Sequence, residues 1–392
     1  MTHILVAGGG IGGLAAALGQ ARSGHRVTVL EGRPRFAEIG AGIQLAPNAF
    51  HALAALGVRD AVAGRADFID ELRFMDGMSG EQVTAMPLTG GYRARFGNPY
   101  AVVHRADLHR ALLDGCRDAG VELIGGQRVT GYEQSGGHVT VSTAAGERFR
   151  AEVLLGADGL RSAVREQLVG DGPPRISGHT IYRSVIPMSE VPEELRTRSV
   201  TLWAGPGRHF VHYPIGGGDY LNLAATRDDG ADTEITGAPA TRDHVLSEFA
   251  GLDDSARRLL ELGRDWRVWV LCDRDPVETW VDGRVALAGD AAHPMLQYAA
   301  QGACMALEDA VTLGTVLRCD PADVPQRLEK YNGVRRERTA RTTLTARWMG
   351  SELYHPARGR AAARNTLLAG HSVDDLHDVV SWLHGATDFS TL

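Results

Sequence analysis

The feature that most constrains this chain lies within its first thirty-one residues, where an apolar run, a glycine cluster, an alanine-rich stretch, a second apolar run and an acid follow in order. His3-Ile-Leu-Val-Ala7 predicts a short buried parallel strand. It runs into Gly8-Gly9-Gly10-Ile11-Gly12-Gly13, in which Gly8, Gly10 and Gly13 hold the GxGxxG spacing. Leu14 to Arg22 predicts a helix, and Arg26 to Leu30 predicts a second strand that ends at Glu31. Gly8 permits the sharp turn, Gly10 lets the backbone approach a pyrophosphate, and Gly13 lets the helix pack against the strand. The helix start offers unpaired N–H groups and the positive end of its dipole to phosphates. Glu31 stands where an acid accepts hydrogen bonds from a ribose. A glycine-rich turn without a ligand leaves Glu31 unexplained, so a bound dinucleotide is expected, and either NAD or FAD satisfies this segment.

Bulk properties narrow the field by exclusion. With 392 residues the chain has room for two or three domains and a deep pocket between them. Its 48 glycines sit in short clusters, the pattern of tight turns and close backbone approach to a ligand. A formal net charge of −7 gives no basic excess for general nucleic-acid binding. No apolar run is long enough to span a bilayer, and the start lacks the shape of a signal peptide, so a soluble cytoplasmic protein is expected. Cys116, Cys272, Cys304 and Cys319 have neither metal-ligand nor CxxC spacing and are expected to be reduced thiols. His293 has no second ligand at helical spacing, so no metal site is expected, and no GxSxG elbow supports a hydrolase. Arg335, Arg336, Arg338, Arg341, Arg347, Arg358, Arg360 and Arg364 are expected to lie on a solvated helical face.

Two later motifs decide between the dinucleotides. A strand ending at Ala157 is followed by Asp158-Gly159 and a helix start. Arg284 to Pro294 repeats the form, with a strand that ends in Gly289-Asp290, a polar turn and then a helix over Gln301 to Val316. An N-terminal GxGxxG, a central Asp-Gly and a late Gly-Asp, in this order, resemble the single-component FAD-dependent aromatic hydroxylases, the family with the p-hydroxybenzoate hydroxylase-like fold. The resemblance covers essentially the whole chain. Asp273-Arg274-Asp275-Pro276, Trp280 to Arg284, Pro294 to Tyr298 and Ala306 to Ala310 bring it closest to the 3-hydroxybenzoate-hydroxylating branch, with the salicylate hydroxylases next.

The resemblance implies a mixed α/β fold. A Rossmann-like FAD-binding domain with a parallel sheet would come from residues 1–70, 99–175 and 276–330. An antiparallel-sheet substrate domain would come from 71–98 and 176–275, and a helical C-terminal segment from 331–392. Within 176–275, strands are expected at Val200 to Trp203, Phe210 to Tyr213 and Tyr220 to Ala224, with hairpin turns at Gly205-Pro206-Gly207 and Gly216-Gly217-Gly218.

For the cofactor, the resemblance implies that Asp290 bonds the FAD ribitol and that Asp158 helps to place FAD and nicotinamide. It further implies that Arg105 approaches the flavin and that the loop Gly40-Ala41-Gly42-Ile43-Gln44 lies beside the isoalloxazine ring. Helix N-capping is the alternative for Asp158, and a surface ion pair that for Arg105. The implied co-substrates are NADH or NADPH and dioxygen, the substrate is a small aromatic acid, and the assembly is a homodimer. Reduced flavin would activate dioxygen as a C4a-hydroperoxide that attacks a ring made electron-rich by a phenol.

Three residues are candidates for handling the substrate. In His209-Phe210-Val211-His212-Tyr213, strand alternation places His209, Val211 and Tyr213 on one face, and Phe210 and His212 on the other. By resemblance His209 and Tyr213 bind and activate the phenol. Histidine suits this because its ordinary pKa of about 6.5 lets it accept a proton near neutrality. His212 is the opposite-face alternative. Gln297 is expected at the substrate or flavin edge, the alternative being a helix-start residue bonded to backbone. An NAD-dependent dehydrogenase would need only the first motif, and a non-enzymatic flavin protein would show no NADH oxidation on addition of a phenolic acid.

Overall fold

The computed structural model describes residues 1–37, 40 and 42–385; Ala41, in the loop expected beside the flavin ring, lies outside them, as does the end of the C-terminal segment from 386 on. Ile4, Leu5, Val6 and Ala7 are all fully buried, because helix Ile11–Arg22 and a three-stranded antiparallel sheet of Val129–Ser135, His138–Thr143 and Arg148–Ala151 pack against the sheet they form. That sheet has six strands in the order Val281–Asp282, Val285–Leu287, Val153–Gly156, His3–Ala7, Arg26–Leu30 and Glu122–Ile124. All neighbours are parallel except the first pair. Three chain segments far apart in sequence therefore end side by side. The carboxyl ends of Val285–Leu287, Val153–Gly156 and His3–Ala7 carry the Gly-Asp, Asp-Gly and GxGxxG motifs respectively.

The second large sheet has eight strands, in the order Thr236–Pro239, Arg267–Asp273, Arg175–Pro187, Tyr220–Ala231, Arg208–Ile215, Ser199–Gly205, Glu71–Asp76 and Gln82–Pro87. The glycines of its two hairpin turns take positive φ, at Gly207 and at Gly216 through Gly218. Its pairing is antiparallel except between Ser199–Gly205 and Glu71–Asp76, which run parallel. Those two strands are joined by no tight turn, so nothing local dictates their relative direction. One face packs Phe210, Leu223 and Trp203 on the helices Arg242–Glu248 and Asp254–Leu262. The other face turns toward the parallel sheet. A small three-stranded sheet pairs Gly42–Leu45 with Ala101–His104, which runs straight into the helix Arg105–Asp118.

The C-terminal part is helical, with Val324–Trp348, a π-turn over Met349–Tyr354, and helices Arg358–Ala369 and Val373–His384. The solvated arginine face expected there is only partly present. Arg341, Arg358 and Arg360 are exposed, but Arg335 is fully buried, 2.5 Å from Glu308 and 2.7 Å from Asp309. Arg338 also reaches Glu308, at 2.8 Å. Helix Val324–Trp348 packs on Gly302–Val316, whose two buried carboxylates require guanidinium partners. Among the described residues no helix is long and apolar enough to cross a membrane.

Candidate functional site

The turn after the first strand is built as a cradle. Gly8 holds φ +102°, and a Cβ there would strike the Ala157 carbonyl. A Cβ on Gly13 would strike the Gly8 carbonyl, so Gly13 stands behind the turn and lets the helix close on it. Gly10 is the N-cap of helix Ile11–Arg22 and supplies no side-chain cap. The first N–H groups of the helix are therefore left for a ligand. Glu31 accepts the Gly9 N–H at 2.7 Å on one oxygen and the Arg33 N–H at 2.8 Å on the other. A carboxylate has about four acceptor positions, so two remain for hydroxyls.

Gly8 to Gly12, Glu31, Gln44, Arg105, Asp158 and Asp290 line one wall of a cavity of about 1070 Å³; His209, Tyr213 and Gln297 line another. Asp290 sits on the short turn Gly289–Ala291, exposed and accepting no intramolecular hydrogen bond among the described residues. Asp158 accepts the Ala163 N–H at 2.8 Å and the Ser162 hydroxyl, so it does fasten the start of helix Ala163–Leu168. It also faces the cavity, and its burial raises its pKa against those bonds. Arg105 opens its helix, with its stem so close to Gly40 that a Cβ there would come within 2.9 Å of Cδ. Gln44 accepts the Tyr100 hydroxyl at 2.5 Å.

These features fit FAD. The glycine cradle and uncapped helix suit a pyrophosphate, and two carboxylates with free acceptor capacity suit sugar and ribitol hydroxyls. The volume stands at the top of the roughly 300–1,000 Å³ range of ordinary ligand pockets, as a large cofactor requires.

The opposite wall is the inner face of the eight-stranded sheet. Cross-strand register aligns Val211 with Ala224 and Ala224 with Arg183, and Tyr213 with Asn222. His209, Val211, Tyr213, Asn222, Ala224 and Arg183 therefore share one face and line the cavity together. His212 points the other way, against Phe210 and Trp203, and does not reach the cavity. Tyr213 donates to the Gly42 carbonyl at 3.0 Å, and burial pushes its pKa up to about 12, with the Arg183 charge opposing. His209 Nδ1 lies 2.8 Å from His355 Nε2. Burial, with His355 and His179 adding to it, drives the His209 pKa well below its ordinary value, so the ring is neutral near pH 7. Gln297 Oε1 accepts from Arg183 at 2.5 Å.

Sequence reasoning missed Arg183. Its guanidinium faces the cavity, has no carboxylate within ion-pair distance among the described residues, and has its pKa lowered by burial. One signal was available, a lone arginine within the apolar run Ile181 to Ile186. His355 and Tyr298, which pack on His209, carried no such signal.

The profile described as FAD binding domain matches residues 1–346. The chain is 48% identical over 386 residues to 3-hydroxybenzoate 6-hydroxylase 1 of Aquipseudomonas alcaligenes, spanning 98% of this chain and 97% of that one. Among solved structures, Klebsiella pneumoniae HpxO complexed with FAD and uric acid superposes with a TM-score of 0.87 at 28% identity, covering 98% of this chain and 97% of that one. A salicylate hydroxylase substrate complex gives a TM-score of 0.86 at 27% identity, covering 100% of this chain and 96% of that one.

Proposed function

The chain belongs to the FAD-binding-domain family of FAD-dependent aromatic hydroxylases, and from that premise we propose that it hydroxylates 3-hydroxybenzoate at ring position 6 to give gentisate, consuming NADH or NADPH and dioxygen. The observation that carries this reading is the shared cavity face of His209, Tyr213 and Arg183. A base and a cation stand there on strands two apart and two residues out of step, roughly 12 Å at the backbone. That span suits a ring with a phenol toward one side chain and a carboxylate toward the other.

Bound FAD supplies the redox chemistry, taking hydride from the nicotinamide and activating dioxygen. Gly8, Gly10, Glu31, Arg105, Asp158 and Asp290 would hold it. His209 accepts the phenol proton at Nε2, the ring nitrogen that His355 leaves free. Tyr213 keeps its proton, because its pKa is raised by burial, and presents its oxygen to orient the phenol. Arg183, oriented by Gln297, receives the carboxylate. The apolar remainder of the cavity excludes water.

A homodimer is part of the proposal. Leu344, Trp348, Leu367, Val373 and Val379 leave apolar surface exposed on the C-terminal helices, and sedimentation velocity tests it. A cytoplasmic location likewise remains part of the proposal. The main test is a panel of hydroxybenzoates assayed for stimulated NADH oxidation with product identification. Gentisate from 3-hydroxybenzoate is expected. Catechol from salicylate as the favoured reaction would overturn the substrate assignment but leave the family intact.

A further inference from the structure

Burial weakens His209 as a base, while a phenol has a pKa near 10. A proton that stopped on His209 would leave an imidazolium enclosed with no carboxylate beside it among the described residues. The structure offers the proton somewhere to go. His209 Nδ1 is 2.8 Å from His355 Nε2. His355 Nδ1 is buried and has no hydrogen-bond partner among the described residues. One ring nitrogen each from His355 and His179 and a carboxylate oxygen of Asp228 lie within 4.8 Å of one another, a gap that one water spans with two hydrogen bonds of about 2.8 Å. His179 Nε2 is 3.7 Å from Asp228 Oδ2. The row runs outward, since His209 and His355 are buried while the Asp228 side chain is 49% exposed.

We propose that His355, His179 and Asp228 are positioning residues that carry the phenol proton from His209 to solvent. The proposal rests on the reading of His209 as the base. The phenol O–H bond breaks and its proton bonds to His209 Nε2, while the proton on Nδ1 passes to His355 Nε2. The proton on His355 Nδ1 then passes, directly or through a water, to His179 or Asp228 and so to bulk water. Each of His209 and His355 gains one proton and loses one, and so no buried cation persists; the phenolate stays in the cavity. The reverse passage returns a proton to the product and restores both tautomers. Other groups facing this row are Tyr298, whose hydroxyl is 2.5 Å from His179 Nδ1, Tyr354 beside His209, and Asp229, Asp273 and Arg175 around His179.

The experiment needs no turnover. Oxidised holoenzyme is mixed rapidly with 3-hydroxybenzoate in weak buffer containing a pH indicator, while phenolate formation is followed in the ultraviolet. Wild type is expected to release a proton to bulk as phenolate forms. His355→Ala should slow release by about tenfold to a hundredfold, with added imidazole restoring it and with FAD content and benzoate affinity unchanged. Asp228→Asn, at the surface and safe for folding, should slow release at low buffer concentration and recover as buffer is raised. Wild-type release rates in both variants would overturn the relay, and so would slow release that neither imidazole nor buffer rescues. Slowing by a metal chelator would also overturn it, in favour of a cation held by the two histidines and Asp228. Normal phenolate formation in His209→Ala would instead remove the base assignment itself, so the two failures are distinguishable.

Discussion

Replacing Arg183 by methionine should cost ligand affinity while leaving stability nearly unchanged. Arg183 has a hydrogen bond to Gln297 and lies 5.8 Å over the Trp269 ring, but no acid neutralises it among the described residues. Replacing buried charged groups by apolar volume is often neutral or stabilising by about 1–4 kcal/mol, and Arg183, a half-buried lone charge, falls at the low end. Against this stand about 1 kcal/mol for the lost hydrogen bond and about 0.5–1 kcal/mol for the cation–π contact. These terms nearly cancel, so the melting temperature of the ligand-free variant should change by only a few degrees. Affinity for the acid should fall. Two charge-assisted bonds to a carboxylate, at about 1.5–3 kcal/mol each, amount to roughly 10²–10⁴ in Kd. The assay is titration of the oxidised holoenzyme with 3-hydroxybenzoate and with 3-hydroxybenzamide, followed by flavin absorbance. Only the acid should lose affinity. Equal losses for acid and amide, or no loss for the acid, would refute the assignment of Arg183 to the carboxylate.

Asp290→Ala should weaken FAD retention by roughly ten- to a hundredfold, since a charged acceptor contributes about 1.5–3 kcal/mol; unchanged FAD affinity by ultrafiltration would take Asp290 out of the site. Gln297→Ala should free the Arg183 guanidinium to wander and raise the share of NADH recovered as hydrogen peroxide, and an unaltered product-to-NADH ratio with unaltered substrate affinity would count against that role. Acid should destabilise the fold early. Burial lowers the pKa of His209 well below its ordinary value and those of His212, His355 and His384 to about 3. These rings stay neutral in the fold while the unfolded chain binds protons below about pH 6.5, so their contribution is complete above that pH and is lost as pH falls, by about 1.4 kcal/mol per pH unit for each. Melting temperature should drop steeply between pH 6.5 and 5, and a flat profile there would contradict the burial of these rings. Arg335→Ala should cost about 3–5 kcal/mol by stranding Glu308 and Asp309, measured by thermal unfolding; a loss under 1 kcal/mol would mean that the buried acids find other partners.

Local order along the chain encodes one part of this protein and long-range pairing the other. The strand, glycine turn, helix and acid of residues 3–31 are consecutive, so turn geometry and periodicity sufficed to predict a dinucleotide site. The alternation of His209, Val211 and Tyr213 is a property of any strand, and it named the side chains that share a face before the face had a partner. Which residues those side chains meet depends on non-local pairing. Arg183 joins Tyr213 only because strands Arg175–Pro187, Tyr220–Ala231 and Arg208–Ile215 pair in one register, and a slip of one residue would turn it to the other face. His355 reaches His209 across 146 residues of chain, from a turn with no period of its own. Arg335 looked like one more solvated arginine because its partners, Glu308 and Asp309, lie on another helix. No local pattern marks such a charge as buried, because its burial is decided by the partner that arrives when the helices pack.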